Sequence, residues 1–367
     1  MALPGVNIII ETGGIGRVDN PGNGIPGLLV QMAASPAGHA FGDVVAYKQW
    51  AEMPTELQAV PGLGLYFKEA PGYKVYIMPV ASTTVIADLV NHQHATPYGA
   101  QLVQAGNGEI RFIGVMGTLL AAGMVAARTN AQAFAEYFAA AQNPVAVFLP
   151  YSYRAADTPA NLKAGSQNRV GIAVSYRGDE IGLLMGTLAK SQVHQHPGKV
   201  KNGSLPMVTA YLDGVAATLI EDQMTMVETL HDLGYIMLRV IVGKSGYYWA
   251  GMPMATASTD DYATIVNRRT IDKAHVIAYA TYIEELNNEV FVTSDGKLQP
   301  GYCKEMEAKI EKAIDLQMGA EISGREAYID TEQFILQTGQ LDIRVSIIPV
   351  GHNEFINIYL GLTATLQ

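Results

Sequence analysis

Three groups of residues in this chain have types and spacings that could support chemistry. The first is Gly13-Gly14-Ile15-Gly16, which follows a short apolar segment and resembles a glycine-rich phosphate loop. A phosphate loop leads directly into a helix and ends in Gly-Lys-Ser or Gly-Lys-Thr, whose side chains hold the phosphate and its metal ion. Pro21 and Pro26 follow here instead. The sequence therefore argues against a nucleotide site at these glycines.

The second group consists of two His-x-His pairs, His92-Gln93-His94 and His194-Gln195-His196. In an extended segment both imidazoles of a pair lie on one side, and two pairs brought together could bind zinc or copper. Both pairs lie in polar segments typical of loops, and neither contains a carboxylate. Exposed loop histidines are the simpler interpretation, and metal binding by these pairs stays open.

The third group contains isolated reactive side chains. Ser245 lacks a Gly-x-Ser-x-Gly motif. Cys303 lies at the start of a predicted helix, where a thiol pKa can be lowered, but no motif surrounds it. Asp260-Asp261 could bind a cation, although a helix cap explains the pair better. Because no set of residues forms a recognisable catalytic arrangement, we predict that the protein is not an enzyme and uses no cofactor.

Composition narrows the class further. The 367 residues are 49% hydrophobic and 16% charged, which indicates a globular chain of two or three domains, or one body with insertions. The net charge is −10 and no Lys/Arg-rich run is present, so direct nucleic-acid binding is not expected. One cysteine excludes an intramolecular disulfide and favours synthesis in the cytoplasm.

The sequence also gives no sign of export or membrane insertion. The start, MALPGVNIIIETGG, lacks the basic residues and long apolar run of a signal peptide. No apolar run approaches the roughly 20 residues of a membrane span. We therefore expect neither secretion by the general route nor insertion into a membrane.

Apolar strands alternate with helices through the first part of the chain. The predicted strands are 73–80, 109–116, 144–151 and 170–176, and the predicted helices are 83–91, 97–104, 130–141, 179–192 and 219–233. Asn130 is the predicted cap of its helix. This alternation predicts an α/β fold, with an α+β body in which helices cover a mixed sheet.

Both ends of the chain have apolar strand patterns. Residues 6–11 stand alone before the stretch 13–27, which contains six glycines and two prolines. A strand on such a tether can pair within its own domain or add to the sheet edge of a neighbour. At the other end, residues 341–350 alternate and residues 355–362 (FINIYLGL) follow. Because open strand edges aggregate unless they are covered, these ends are suited to exchange between copies of the chain.

A charged helix is predicted at residues 301–319. Its sequence, GYCKEMEAKIEKAIDLQMG, has an apolar stripe at helical spacing and mixed charges on the other face. Glu305 and Lys309 are spaced to form an i,i+4 pair that stabilises the helix by about 0.2–0.5 kcal/mol. The charged face is either solvated or contacts a charged partner.

The stretch 230–286 has the most distinctive order of elements. It predicts a helix ending near Gly234, a strand at 235–242, a turn and a short aromatic strand at 247–250. Polar residues 256–261 then open a helix that contains Arg268-Arg269. This order resembles the C-terminal half of contractile phage tail sheath proteins, and of the sheaths of related bacterial contractile injection systems. The resemblance covers most of the chain and is best from about Asp213 onward.

The resemblance implies a structural role. Sheath subunits form stacked rings or a helix around an inner tube, and contract from a metastable extended state to drive the tube through the target cell envelope. The implied partners are further copies of the chain, the inner tail tube protein, and the baseplate and tail terminator proteins. The implied location is a virion tail or contractile injection particle, synthesised and assembled in the bacterial cytoplasm.

The resemblance also implies a division of the chain. Residues 1–27 form an N-terminal strand arm and linker, 28–212 the first part of the α/β body, 213–350 a sheath C-terminal core domain, and 351–367 a C-terminal strand arm. The arms exchanged between subunits comprise Val6, Asn7, Ile8, Ile9 and Ile10, and Phe355, Ile356, Asn357, Ile358, Tyr359 and Leu360. The receiving strand comprises Ile343, Arg344, Val345, Ser346 and Ile347, and a tube-facing helix presents Lys304, Glu305, Lys309 and Lys312.

The alternative hypothesis is a soluble α/β enzyme that binds a nucleotide or a sugar, since the strand–helix alternation alone permits one. The two hypotheses differ in what the ends of the chain do. An enzyme tolerates the loss of residues 1–12, whereas a sheath protein without them loses polymerisation.

Overall fold

A computed structural model of the chain describes residues 24–176, 178–358 and 360. Its strands are β1 (Ile25–Met32), β2 (Val45–Tyr47), β3 (Val75–Ala81), β4 (Ile110–Met116), β5 (Ala146–Tyr151), β6 (Ser166–Gln167), β7 (Val170–Val174), β8 (Tyr211–Asp213), β9 (Thr218–Leu219), β10 (Leu238–Arg239), β11 (Tyr248–Trp249), β12 (Ala255–Thr256), β13 (Ile322–Tyr328) and β14 (Arg344–Pro349). Its helices are α1 (Thr55–Gln58), α2 (Pro61–Glu69), α3 (Ile86–Leu89), α4 (Tyr98–Ala105), α5 (Ala121–Ala140), α6 (Asp179–Lys190), α7 (Met224–Asp232), α8 (Ile265–Tyr282), α9 (Pro300–Met318) and α10 (Ile335–Thr338).

A six-stranded mixed sheet forms the centre of the body, in the order β2-β3-β1-β4-β5-β7. Five of its strands are parallel to one another, namely β3, β1, β4, β5 and β7. The sixth, β2, is antiparallel at one edge. The parallel strands follow the order of a doubly wound sheet, in which successive strands are added first to one side of β1 and then to the other. The prediction of a mixed sheet in an α/β body is confirmed.

Helices cover both faces of this sheet. Gly27 lies against Leu102 of α4, whereas Gly114, which pairs with Leu28, lies against Ile181 of α6. Because side chains alternate along a strand, α4 and α6 lie on opposite faces. Strands buried on both sides read as continuous apolar runs, which explains the sequence of β5, AVFLPY.

The helices α2 and α6 cross at an unusually short distance. A Cβ atom at Gly182 of α6 would lie 1.9 Å from the carbonyl oxygen of Gly62 in α2. Only glycine fits at such a contact, so these two positions fix how closely the helices pack.

The hydrophobic core of the body runs from Leu28 to Val266, past the boundary predicted between residues 212 and 213. Two smaller clusters follow, built on α8, α9, β13 and β14. They contain Ala274, Ile277, Ile310, Ile314, Met318 and Ala327 in one case, and Leu298, Cys303, Met306 and Ile329 in the other. The helix α8 begins in the body core and ends in the first of these clusters. It therefore joins the body to a smaller C-terminal unit.

Several predicted elements differ in extent. The helix around Asn130 begins at Ala121 in an alanine-rich segment of high helix propensity, so Asn130 is not its cap. Its side chain instead donates a hydrogen bond to the Ala87 carbonyl at 2.9 Å. The strand predicted at 235–242 is wrong in length. In the structure this stretch contains only β10 and one isolated bridge, from Ile236 to Ala173. The strand is short because the turn after it leaves only two residue pairs with β11.

The helix end predicted near Gly234 is confirmed. Gly234 has a φ of 96°, and its N–H donates to the His231 carbonyl while the N–H of Tyr235 donates to the Leu230 carbonyl. These two bonds form a Schellman motif, which favours glycine at this position.

Candidate assembly interface

The carboxyl ends of β1 and β4 are where a doubly wound sheet ordinarily binds its ligand. Here the side chain of Gln31, at the end of β1, donates to the Thr84 carbonyl at 2.6 Å. A Cβ atom at Gly117 would lie 2.0 Å from the Gln31 amide oxygen, and one at Gly178 would lie 2.5 Å from the Gly117 nitrogen. The Gln31 side chain therefore occupies the end of β1, between Thr84 and Gly117.

The histidine pairs do not come together in the part of the chain that the structure describes. No group of three or more His, Cys, Asp and Glu residues there is arranged to hold a metal ion. His92 stacks on Tyr137 at 4.7 Å between ring centroids, while His196 faces His352 at 5.6 Å. Among the helices that the structure describes, none combines the length and apolar character of a membrane span.

Two of the other side chains that could support chemistry, Cys303 and Asp260, have structural roles in the fold. Cys303 is buried in the C-terminal unit, and this burial raises the pKa of its thiol, so the helix start does not activate it. Asp260 does not cap α8, because the cap is Thr264, whose hydroxyl accepts from the Asn267 N–H. Asp260 instead accepts from the Tyr262 N–H at 2.8 Å and holds the preceding turn.

The Arg268-Arg269 pair lies at the joint between the body and the C-terminal unit. Arg269 is buried, and its Nη2 donates to the carbonyls of Ser191 at 2.7 Å and Leu188 at 3.2 Å at the end of α6. A cation at these carbonyls interacts favourably with the helix dipole. Burial lowers the pKa of Arg269 to about 10, which still leaves it charged near neutral pH.

Three buried ion pairs complete the joint. Asp272 of α8 lies 2.9 Å from Arg268 Nη2 and 3.1 Å from Arg169 Nη1 in the body. The next residue, Lys273, places its Nζ 2.6 Å from Glu321 Oε2, immediately before β13. Two adjacent residues of α8 are thus tied, one to the body and the other to the C-terminal unit. The sequence signal for this joint was four charged residues within six positions of a helix.

β13 and β14 form an antiparallel ribbon, of which β14 lies within the predicted strand region 341–350. Tyr328 pairs with Arg344 and Glu326 with Ser346. Val345 and Ile347 of β14 pack against the first small hydrophobic cluster. The predicted receiving strand is therefore a strand in the single chain, and Ile343 lies just before it.

The two outer edges of this ribbon differ. On β13, the Ala327 N–H donates to Glu311 Oε1 at 3.0 Å and the Ile329 N–H donates to Glu307 Oε1 at 2.8 Å. Backbone N–H groups alternate in direction along a strand. The groups of Val345 and Ile347 therefore point away from β13, and no described segment outside the ribbon hydrogen-bonds to them. Among the residues that the structure describes, the edge without a partner is therefore that of β14.

The C-terminal segment after the ribbon exposes large apolar side chains. The exposed fractions are 85% for Phe355, 73% for Ile356, 75% for Ile358 and 93% for Leu360. Residues 355–358 and 360 form no strand with described residues of their own chain. The segment begins at His352, whose Nε2 lies 2.8 Å from the His194 carbonyl oxygen. Tyr359 and the N-terminal arm residues Val6, Asn7, Ile8, Ile9 and Ile10 lie outside the described residues.

The helix predicted at 301–319 is α9, but its charges pair differently from the prediction. Lys309 forms an ion pair with Glu285 and not with Glu305, because the chain after α8 passes beside it. Lys304 pairs with Glu307 at 2.5 Å, and this hydrogen bond holds the pKa of the Glu307 carboxyl below its usual value. Glu305 and Lys312 are exposed.

Comparison with known proteins places this architecture. Two family models match the sequence: DUF2586, N-terminal domain, over residues 3–252, and DUF2586, C-terminal domain, over residues 261–367. The chain belongs to the DUF2586 family. None of the curated proteins matches this DUF2586 sequence.

Solved structures resemble the DUF2586 protein over nearly its full length. The anti-feeding prophage helical sheath in the contracted state matches with a TM-score of 0.62 and 15% identity, over 98% of this chain and 99% of that chain. The contracted PVC sheath complex of an extracellular contractile injection system matches with a TM-score of 0.59 and 12% identity, over 99% and 98%. The sheath tail protein from Desulfitobacterium hafniense matches with a TM-score of 0.50 and 9% identity, over 94% and 100%. The resemblance to contractile sheath proteins is thereby confirmed at the level of the fold.

Proposed function

We propose that this protein is the structural subunit of a contractile sheath, which polymerises around an inner tube and contracts from a metastable extended state to drive the tube through a target cell envelope. The observation that carries the proposal is the extent of the fold match. Sheath subunits are covered from end to end, including the C-terminal unit, and not only over a sheet that many enzymes share.

The enzyme alternative has less support. A doubly wound sheet that binds a nucleotide or sugar keeps its crevice open at the carboxyl ends of the strands. Here the Gln31 side chain occupies the end of β1, against Thr84 and Gly117. A structural subunit needs no ligand space at this point, so the occupied strand end favours the sheath.

The way subunits join follows from the ribbon and the segment after it. The edge of β14 offers the backbone groups of Val345 and Ile347, and the exposed residues Phe355, Ile356, Ile358 and Leu360 belong to a segment whose sequence reads as a strand. Strand addition by this segment, and by residues 6–11, to the β14 edge of a neighbouring copy accounts for both features. Such contacts are heterologous, so they propagate into rings or helices.

Contact with the inner tube is assigned to α9. Its exposed charges, Glu305 and Lys312, are available to a partner in the single chain, whereas Lys304 and Lys309 also have partners within it. The inner tail tube protein is the expected partner along the sheath, and baseplate and tail terminator proteins are the expected partners at its ends. The particle is a virion tail or a contractile injection particle assembled in the cytoplasm.

Co-sedimentation with the cognate tube protein tests this assignment. Reversing the charge of Lys304, Lys309 and Lys312 to Glu should release the sheath from tubes, and wild-type co-assembly of that variant would contradict the tube contact. A chain with Lys163, Lys199 and Lys201 reversed to Glu has the same net charge and serves as the control.

A further inference from the structure

The helix α9 runs alongside the outer edge of β13 and bonds to it at three successive points. Glu307 accepts from the Ile329 N–H and Glu311 accepts from the Ala327 N–H. One turn further on, Asp315 forms an ion pair with Arg325, whose Nε also donates to the Glu311 carbonyl at 3.0 Å. The contacts advance by four residues on the helix and go back by two residues on the strand.

The spacing of the helix matches the spacing of the strand. Four helical residues advance about 6.0 Å, and two strand residues span about 6.6–6.8 Å. A carboxylate at every fourth position of α9 therefore stays in step with alternate residues of β13. Residues 325 and 327 of β13, and residue 329 directly after it, have backbone groups that point away from β14.

Glu307 and Glu311 each reach a backbone N–H that an added strand would otherwise use, whereas Asp315 holds the Arg325 side chain. An unpaired strand edge is a template for pairing with another chain, and proteins cover such edges with side chains, helices or loops. The Glu307 side chain is only 7% exposed, and Lys304 lies over it from the solvent side. Glu305, on the exposed face of the same helix, makes no described contact with β13.

We propose that Glu307 and Glu311 take the place of a neighbouring strand on β13, so that the ribbon accepts strands from other copies only at the β14 edge. The partner in question, a strand of a second copy, rests on the proposed function. The blocking of the β13 edge does not, because it is a property of the single chain.

Hydrogen exchange at two amides provides the test. In Glu311→Ala the Ala327 amide should exchange about tenfold faster or more, and in Glu307→Ala the Ile329 amide should do so, since hydrogen bonds to charged groups are worth about 1.5–3 kcal/mol. Each single variant should leave the other amide, and the amides of α5, at wild-type rates, which general unfolding would not do. Glu307→Gln and Glu311→Gln keep an acceptor oxygen and should stay close to wild type, and Glu305→Ala is the matched control on the same helix.

Association supplies the second measurement. The double variant Glu307→Ala/Glu311→Ala should form larger species by light scattering than the wild type at equal concentration, and the double Gln variant should not. Wild-type exchange at both amides, or faster exchange without new association, would overturn the proposal. If the wild-type protein never forms sheaths on tubes while both measurements come out as expected, the proposed function fails and the blocked edge stands.

Discussion

Lys273 and Glu321 form an ion pair at 2.6 Å whose side chains are 3% and 9% exposed. The pair ties the middle of α8 to the residue before β13, so it fixes where the ribbon lies relative to the helix that enters it from the body. A pair buried this deeply is costly to break, because removing one partner leaves an unpaired charge out of water.

We expect Lys273→Met to lower the free energy of unfolding by about 3–5 kcal/mol, as for other buried pairs from which one partner is removed. Urea denaturation followed by circular dichroism measures it. The exposed pair Lys297–Glu332 is the control, and Lys297→Met should cost about 0–1 kcal/mol. The double variant Lys273→Met/Glu321→Gln should recover part of the loss. Equal costs at the two lysines would show that the buried pair does not hold the joint.

The crossing of α2 and α6 makes Gly182 intolerant of any side chain. Gly182→Ala places a Cβ atom 1.9 Å from the Gly62 carbonyl oxygen, and the helices must separate. We expect a loss of about 1–3 kcal/mol or more, the usual cost of overpacking. Gly301→Ala, in α9, meets no atom within 4 Å and should be neutral or slightly stabilising. Thermal unfolding of the two variants compares them, and similar midpoints would contradict the close approach.

Much of the body could be predicted from the sequence because its elements are local. Buried parallel strands such as β5 and β7 are continuous apolar runs, and glycine at position 234 marks a helix end, so both were visible without the fold. The roles of Glu311 and Arg269 could not be predicted from the sequence. Glu311 bonds to a backbone group 16 residues away along the chain, and Arg269 bonds to one 78 residues away. Charged residues on a helix look solvated until the strand or helix end beside them is known. The i,i+4 spacing of Glu307, Glu311 and Asp315 ahead of a strand was the one signal present.

Glu180 should make the stability of the body depend on pH. It is buried at the start of α6, and burial raises the pKa of its carboxyl from 4.5 to about 8, although the Ser175 hydroxyl and the Tyr176 N–H donate to it. Between these pKa values the folded chain keeps a proton that the unfolded chain has lost. The stabilisation is therefore complete below pH 4.5 and is lost as the pH rises through 8.

Comparing the wild type with Glu180→Gln isolates this contribution. The difference in unfolding free energy between the two proteins should change by roughly 1.4 kcal/mol per pH unit across that window, with the wild type losing stability relative to the variant as the pH rises. Denaturation at a series of pH values measures it. A difference that stays constant with pH would mean that the Glu180 carboxyl is ionised throughout.

The exposed C-terminal segment should matter for assembly and not for folding. Ile356→Asp places a charge on a side chain that is already 73% exposed, so the unfolding free energy should stay within about 0.5 kcal/mol of wild type. Polymer formation by sedimentation should be lost, because the charge cannot pack against a neighbouring ribbon. Val242→Asp alters an exposed apolar residue elsewhere and should polymerise normally. Equal polymerisation of the two variants would show that the C-terminal segment is not needed for assembly.

Electron microscopy of the purified chain mixed with its cognate tube protein tests the central claim most directly, with a chain lacking residues 1–12 beside it. The sheath account predicts hollow cylinders around tubes from the full chain, and bare tubes from the shortened chain. Separate particles and bare tubes from the full chain would contradict the account.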